Sequence, residues 1–134
     1  MEKTGATNIN WVRGFVAAPE LRRYVDKSHC VLGVFGESAK AGNVIPYKGY
    51  QAMACNKIFI SRCGPAFAEL LQGTRKHGLL LVPAADPRAL AASIVAVYEA
   101  YDEIQPALDT REFYDRHLSN TVIRDRVASS LEIL

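Results

Sequence analysis

The chain has 134 residues, 49% of them hydrophobic and 22% charged, which is typical of one globular domain with a single core. Its formal net charge of +2 is not gathered into a Lys/Arg cluster or stripe, so the composition argues against a nucleic-acid partner. No signal-peptide pattern and no run of roughly 18–20 apolar residues that could span a membrane is visible in this sequence, and we expect a cytoplasmic protein.

The first elements along the chain are a lead-in, a strand and a helix. Residues 1–7 predict a disordered lead-in, and residues 9–12 predict a short strand that ends at Gly14. Pro19 and Glu20 predict the start of a helix, because proline suits the first turn and an acidic side chain is favourable there.

A second strand leads through a loop into the next helix. Residues 30–35 are apolar on both faces, which is typical of a buried parallel strand. Residues 36–43 are small and polar and predict a loop. The following helix is expected to begin near Pro46 and to end at Asn56 and Lys57.

Two further strands complete an alternating pattern. Residues 58–61 and 79–82 are apolar and predict strands, and Gly64 and Pro65 predict a helix between them. Strands that alternate with helices indicate an α/β fold, a parallel sheet with helices on both faces. Ligands of such sheets bind beyond the carboxyl ends of the strands, which directs attention to the loop after the second strand.

The C-terminal third is predicted to be helical. Asp86 and Pro87 predict a capped helix start. The apolar stripe of that helix has helical spacing: Leu90, Ile94, Val97 and Tyr101. Pro106 ends the pattern, and helices follow over residues 110–117 and 120–134. The last helix also has an apolar stripe: Ile123, Val127, Leu131 and Leu134.

The cysteines and histidines do not form the pattern of a metal site. Cys30, Cys55 and Cys63 are odd in number, lack CxxC spacing and lie in or beside apolar segments, which predicts reduced, neutral thiols. The histidines lack ligand spacing and are interpreted as structural or surface residues: His29, His77 and His117. We expect no metal.

The helix that begins near Pro46 carries the most informative chemistry. A helix N-terminus offers unpaired backbone N–H groups and partial positive charge, which suit a phosphate. Lys48 in the first turn adds to that positive end, and a bound diphosphate would compensate both. Gln51 lies one turn further on, where its amide can bond sugar hydroxyls. An exposed Lys and Gln on an ordinary helix is the competing interpretation.

Residues 44–61, which read VIPYKGYQAMACNKIFIS, resemble the nucleotide-sugar motif in the C-terminal domain of retaining glycosyltransferases of the GT-B fold, family 4. Residues 11–15, 78–94 and 111–118 resemble flanking segments of that domain. The resemblance implies a Rossmann-like domain over residues 8–134, partial or truncated, without the acceptor-binding N-terminal domain. The chain would then be a fragment, a truncated gene product or one of two subunits.

The resemblance implies that a UDP- or GDP-sugar donor binds as a substrate and that no cofactor is tightly bound. It assigns residues to each part of this donor. It places the base near Gly14, Phe15 and Val16. It places the diphosphate near Ile45, Pro46 and Lys48, and the ribose near Gln51. It places the donor sugar near Glu37, Ser38 and Asn43. A turn at Gly14, a core position for Phe15 and ordinary loop roles for Glu37 and Ser38 are the competing interpretations.

The chain departs from the family at both acidic positions, since Asn43 and Gln51 stand where the family has Glu. Asn56 replaces the usual Gly and tolerates a left-handed backbone. These changes are compatible with nucleotide binding, but they leave the identity of the donor sugar and the survival of catalysis open. A non-catalytic Rossmann-like interaction module is the alternative. A nucleotide-binding dehydrogenase is disfavoured because no G-x-G-x-x-G follows a predicted strand in this chain. A flavodoxin-like signalling domain is disfavoured because the predicted strand ends carry no acidic cluster.

The implied reaction moves a sugar from the nucleotide diphosphate to an acceptor hydroxyl with retained configuration. Asn43 and Lys48 are the candidate catalytic residues, and Lys48 with the helix N-terminus would stabilise the departing diphosphate. The expected partners are the nucleotide sugar and the missing acceptor domain or a partner subunit, and a peripheral membrane association of the full enzyme is compatible with this interpretation. The isolated chain is expected to bind nucleotide weakly, if at all, and to turn nothing over.

Overall fold

The computed structural model of the protein describes residues 7–72 and 78–131. Within these ranges three parallel strands form one sheet in the order β1-β2-β3: β1 (Cys30–Leu32), β2 (Ile58–Arg62) and β3 (Leu79–Val82). The central strand β2 is fully buried from Ile58 to Ser61, because it has a strand on each side and helices over both faces.

The helices are short and surround the sheet. In chain order they are α1 (Ala18–Lys27), α2 (Ala39–Gly42), α3 (Tyr47–Ala54), α4 (Pro65–Leu71), α5 (Pro87–Glu99), α6 (Tyr101–Ile104), α7 (Thr110–His117) and α8 (Asn120–Leu131). One turn of 3₁₀ helix (Gln105–Ala107) separates α6 from α7 at the position of Pro106, where the helical pattern was expected to end. No helix in the described ranges has the length and apolar character needed to cross a bilayer.

Alternation along β2 gives the sheet two apolar faces, each covered by helices. On one face Phe59 packs with Ala52 of α3 and Phe67 of α4. On the other face Ile58 and Ile60 join a cluster that includes Val97 of α5. The predicted α/β class, with a parallel sheet and helices on both faces, is therefore confirmed for the described residues.

Several element boundaries agree with the sequence predictions. Pro46 is the N-cap of α3, β3 coincides with residues 79–82, and α7 coincides with residues 110–117. The Asp86 carboxylate caps α5 as expected, because its Oδ1 accepts from the backbone N–H groups of Arg88 at 3.0 Å and Ala89 at 2.9 Å.

The predicted strand at residues 9–12 is wrong. The segment has no regular secondary structure, and the side chains of Ile9 and Trp11 are both 68% exposed. A strand needs a neighbour for its backbone hydrogen bonds, and none of the three described strands pairs with this segment. Most of the predicted lead-in at residues 1–7 lies outside the described residues.

The strand predicted over residues 30–35 is present and parallel to its neighbour, but it is shorter and less buried than predicted. The strand ends at Leu32, which is 39% exposed, because β2 is the only described strand that pairs with β1, which therefore lies at an edge of the described sheet. The loop predicted at residues 36–43 contains the single turn α2, which forms because the Ser38 hydroxyl accepts from the Ala41 N–H at 3.2 Å.

The apolar stripe predicted for the last helix does not pack into the core. Ile123, Val127 and Leu131 are 45%, 53% and 65% exposed, whereas Leu118 just before α8 is buried with Phe113. Helical spacing of apolar residues predicts a face but does not supply a surface to cover it. Leu134, the fourth predicted member of the stripe, lies outside the described residues.

Candidate functional site

The loops at the carboxyl ends of the three strands are hydrogen-bonded into one edge. The backbone N–H of Arg62 donates to the carbonyl of Val34 at 2.9 Å, which joins the loop after β1 to the end of β2. The N–H of Cys63 donates to the carbonyl of Val82 at 2.7 Å, and that of Ala85 donates to the carbonyl of Phe35 at 2.8 Å. The predicted donor-site loop is therefore anchored to both neighbouring loops.

The chain leaves β1 through a close backbone approach at Gly33. A Cβ on Gly33 would lie 2.6 Å from Cβ of Ser61 and 2.8 Å from Cζ of Phe59, so the buried glycine lets the backbone pass over β2. The buried Ser61 hydroxyl donates to the carbonyl of Val34 at 3.3 Å and accepts from its N–H at 3.4 Å. These contacts fix the direction in which the following loop leaves the sheet.

That loop presents the residues predicted to contact the donor sugar. Glu37, Ser38 and Asn43 are all exposed at the carboxyl edge of the sheet. Ser38 is the N-cap of α2 and Asn43 is its C-cap, so one short turn holds both. Their contact with a donor sugar stays a prediction. Ser38 also has a structural role, because its hydroxyl caps α2.

Helix α3 begins directly beyond this loop. Its N-cap, Pro46, provides no side-chain acceptor for the first-turn N–H groups, although the Gly49 N–H donates to the Pro46 carbonyl at 2.7 Å. Lys48 lies exposed in this first turn, and partial desolvation lowers the pKa of its ammonium from the ordinary value of 10.5. Lys48 forms no salt bridge with any described carboxylate. An anion is the group that would favour its charged form.

The other predicted residues of α3 and of the loop before it line two different cavities. Asn43 and Ile45 line a cavity of about 670 Å³ among α3, α4, α7 and α8. Gln51 lines a second cavity of about 360 Å³, together with Tyr47 and Tyr114. Lys48 is not among the residues that line either cavity. Ile45 also packs against the Phe59 core cluster, so it has a structural role in its own right.

The segment predicted to contact the base precedes α1. Gly14 has a φ of +89°, which L side chains rarely adopt, so the turn predicted there is present. Phe15 is 97% exposed, and its interpretation as a core residue is therefore wrong. Val16 is partly buried. These three residues line neither the cavity of Asn43 nor the cavity of Gln51, so the structure does not join this segment to those two cavities.

Arg62, at the carboxyl end of β2, contacts the candidate loop and was not among the residues predicted from the sequence. Its guanidinium donates to the carbonyls of Gly36 and Ser38, in the loop that carries Glu37. The available signal was a charged residue at the end of an otherwise apolar strand, at the edge where ligands of parallel sheets bind.

The cysteines and histidines have structural surroundings. Cys30 and Cys55 are partly buried and Cys63 is exposed, and all three are free thiols. Burial raises the pKa of the Cys30 thiol, which favours its neutral form. His29 and His117 pack against the rings of Tyr101 and Phe113, and the described residues contain no group of His, Cys, Asp and Glu that could hold a metal ion. His77 lies outside the described residues.

No family model, no curated protein and no solved structure matches this chain.

Proposed function

We propose that this chain is the nucleotide-sugar-binding domain of a retaining glycosyltransferase, a Rossmann-like part of a GT-B fold that works in the cytoplasm. One observation carries the proposal. The segment that resembles the nucleotide-sugar motif, residues 44–61, coincides with α3 and β2, and α3 begins at the carboxyl edge of a parallel sheet. That edge is where ligands of open α/β sheets bind.

The charge arrangement supports a diphosphate at this helix start. Lys48 adds a cation to the positive end of α3, and its lowered pKa reflects the cost of holding that charge where it is partly desolvated. A diphosphate would stabilise the ammonium and accept from the first-turn N–H groups, for which Pro46 offers no side-chain acceptor. As the bond between the sugar and the diphosphate breaks, the same groups would stabilise the growing negative charge.

The neutral amides Asn43 and Gln51 define the rest of the proposed donor site. Gln51 lies one helical turn from Lys48, but it lines a different cavity from Asn43, so in the proposed site the ribose and the donor sugar occupy separate cavities. Its amide can bond ribose hydroxyls without charge, and Asn43, at the end of the exposed loop, can do the same for the donor sugar. The acceptor hydroxyl would come from an acceptor-binding domain or a partner subunit, and the full enzyme could associate with a membrane surface.

A nucleotide titration tests the proposal. The ¹⁵N-labelled chain is titrated separately with UDP, GDP and the corresponding nucleotide sugars, and backbone shifts are followed along α3 and the loop before it. We expect saturable shifts at Lys48 and Gln51 with one of the two nucleotides. The Lys48→Met variant should bind about tenfold more weakly, as expected for one lost charge-assisted contact.

The matched control is Lys27→Met, which removes an exposed lysine from the last turn of α1. This variant should bind as the wild type does. Absence of saturable shifts with every nucleotide, or equal affinity of wild type and Lys48→Met, would contradict the proposal.

The alternative function is a non-catalytic interaction module. Two observations favour it: Asn43 and Gln51 are neutral where the resembling family is acidic, and α8 exposes the apolar side chains Ile123, Val127 and Leu131. The titration separates the two functions, because an interaction module of this kind would give no nucleotide shifts while its spectrum stays that of a folded protein.

A further inference from the structure

Arg62 holds the loop after β1 through its guanidinium. Nη1 donates to the carbonyl of Gly36 at 2.6 Å and to that of Ser38 at 3.3 Å. Nε donates to the carbonyl of the neighbouring Cys63 at 3.0 Å, which fixes the side chain at the end of β2. One side chain of the central strand thus bridges 24 to 26 residues of chain to the candidate donor-sugar loop.

The third guanidinium nitrogen lies against the buried backbone at Gly42. A Cβ built on Gly42 would be 3.2 Å from Nη2, so a side chain there would press on the guanidinium. Arg62 forms no salt bridge with any described carboxylate. Its hydrogen bonds to carbonyl oxygens are therefore its principal described interactions, and a charged donor makes such bonds stronger than neutral ones.

The Ser38 carbonyl connects Arg62 to the turn that ends at Asn43. This oxygen also accepts from the Gly42 N–H at 3.2 Å, and the Ser38 hydroxyl accepts from the Ala41 N–H. The position of the Ser38 carbonyl consequently sets the position of α2. Asn43 follows as the C-cap of that helix, with its N–H donating to the Ala39 carbonyl at 3.1 Å.

We propose that Arg62 is a positioning residue that holds residues 36–43 in the conformation needed to present Glu37, Ser38 and Asn43. The loop-holding part of this inference stands on the hydrogen bonds alone, whereas its consequence for donor binding rests on the proposed function. Arginine suits the role because its planar, forked donors reach several carbonyls at once, which a single ammonium does with less geometric control.

Hydrogen exchange without any ligand tests the loop-holding part. Backbone amide exchange of Ala41, Gly42 and Asn43 is compared among the wild type, Arg62→Met and Arg62→Lys. We expect the three amides to exchange about tenfold faster in Arg62→Met, because the turn loses its charged donor. Arg62→Lys, which keeps one charged donor, should fall between the two.

The control amide is that of Leu90, in the separately capped first turn of α5. Its exchange should be unchanged, so that general destabilisation is recognised by a parallel increase there. Unchanged exchange at residues 41–43 in Arg62→Met would overturn the inference. If Arg62→Met fails to fold, the comparison of Arg62→Lys with wild type decides the matter, with faster exchange confined to residues 41–43 supporting it and equal rates overturning it.

Titration with the nucleotide sugar that shifts Lys48 tests the consequence for donor binding. Arg62→Met should weaken binding of the nucleotide sugar about tenfold, whereas binding of the free nucleoside diphosphate, which lacks the sugar, should weaken less. Arg23→Met, a change at an exposed arginine of α1, is the control and should leave both affinities unchanged.

The outcomes keep the two proposals apart. If the wild type binds no nucleotide, the proposed function fails, and hydrogen exchange still decides whether Arg62 holds the loop. If the wild type binds, the positioning role in donor-sugar binding is wrong in two cases. In the first, Arg62→Met weakens binding of the nucleotide sugar and of the free nucleoside diphosphate equally, and in the second it weakens neither.

Discussion

The side-chain oxygen of Asn56 accepts a hydrogen bond from the hydroxyl of Thr110, 54 residues later in the chain, with 3.1 Å between the two oxygens. The same oxygen accepts from the backbone N–H of Arg111 at 3.1 Å. Asn56 also has a φ of +50°, in the left-handed region, immediately after Cys55, the C-cap of α3. One residue therefore turns the chain from the end of α3 toward β2 and accepts from the Arg111 N–H in the first turn of α7.

Replacement of Asn56 should separate its backbone role from its hydrogen-bonding role. Asn56→Gly keeps the left-handed backbone and loses the acceptor, so it should lower the free energy of unfolding by about 1–2 kcal/mol. Asn56→Ala loses both and should cost about 1 kcal/mol more than Asn56→Gly. Urea unfolding followed by circular dichroism measures both values. Equal stability of the two variants would show that the backbone conformation is not a factor.

The two glycines that follow β1, Gly33 directly and Gly36 three residues later, should respond differently to an added methyl group. Gly33→Ala places a Cβ within 3 Å of Ser61 and Phe59, and we expect a loss of about 1–3 kcal/mol in the free energy of unfolding. Gly36→Ala meets no atom within 4 Å and should change stability by less than about 0.5 kcal/mol. Thermal unfolding of both variants checks the contrast, which a similar loss at both positions would contradict.

Two valines at helical positions provide a matched test of the core. Val97 of α5 is 3% exposed and Val127 of α8 is 53% exposed. Val97→Ala should destabilise the protein by about 1–3 kcal/mol, because it removes buried methyl groups and leaves a cavity. Val127→Ala should change stability by about 0.5 kcal/mol or less. A large cost at Val127 would mean that the apolar stripe of α8 is covered in solution.

The lowered pKa of Lys48 predicts a pH dependence of stability. Between the folded-state pKa and the ordinary value of 10.5, the unfolded chain binds more protons at Lys48, so the free energy of unfolding rises with pH through that window. Lys48→Met lacks this contribution and should gain stability relative to wild type near neutral pH.

The difference between wild type and Lys48→Met should narrow as the pH approaches 10.5. Melting temperatures of both proteins, measured side by side at each pH, check this, because titration of all other groups is common to the two. Since Lys48 is exposed, the effect should be small. A difference that is constant with pH, or one that widens, would contradict the prediction.

Helix starts were predicted correctly where a single capping residue or proline determines the backbone conformation. Asp86 with Pro87 fixed the start of α5, and Pro46 marked the start of α3, because capping and the rigid proline ring act over a single turn. The same signals did not predict that residues 9–12 lack a partner strand or that Leu32 lies at a sheet edge. Strand pairing depends on residues far away in the chain, which periodicity does not encode.

The candidate site divides in the same way. The start of α3 near Pro46 placed Lys48 in the first turn of that helix, which agrees with the structure. Asn56 stands where the resembling family has Gly, and its φ of +50° is in the left-handed region that this replacement was expected to tolerate. The contact of Arg62 with the Gly36 carbonyl could not be foreseen, because it joins a strand end to a loop 26 residues away. The separation of Asn43 and Gln51 into two cavities also depends on where α7 and α8 pack.

The sequence by itself determined an α/β chain with a parallel order of strands and a helix that starts with a lysine in its first turn, because apolar periodicity and capping are local properties. Only the tertiary structure decided which strand is central, which apolar stripe is covered and which guanidinium holds the candidate loop. These outcomes follow from contacts between segments distant in sequence, where burial and hydrogen bonding depend on the neighbour that the fold supplies.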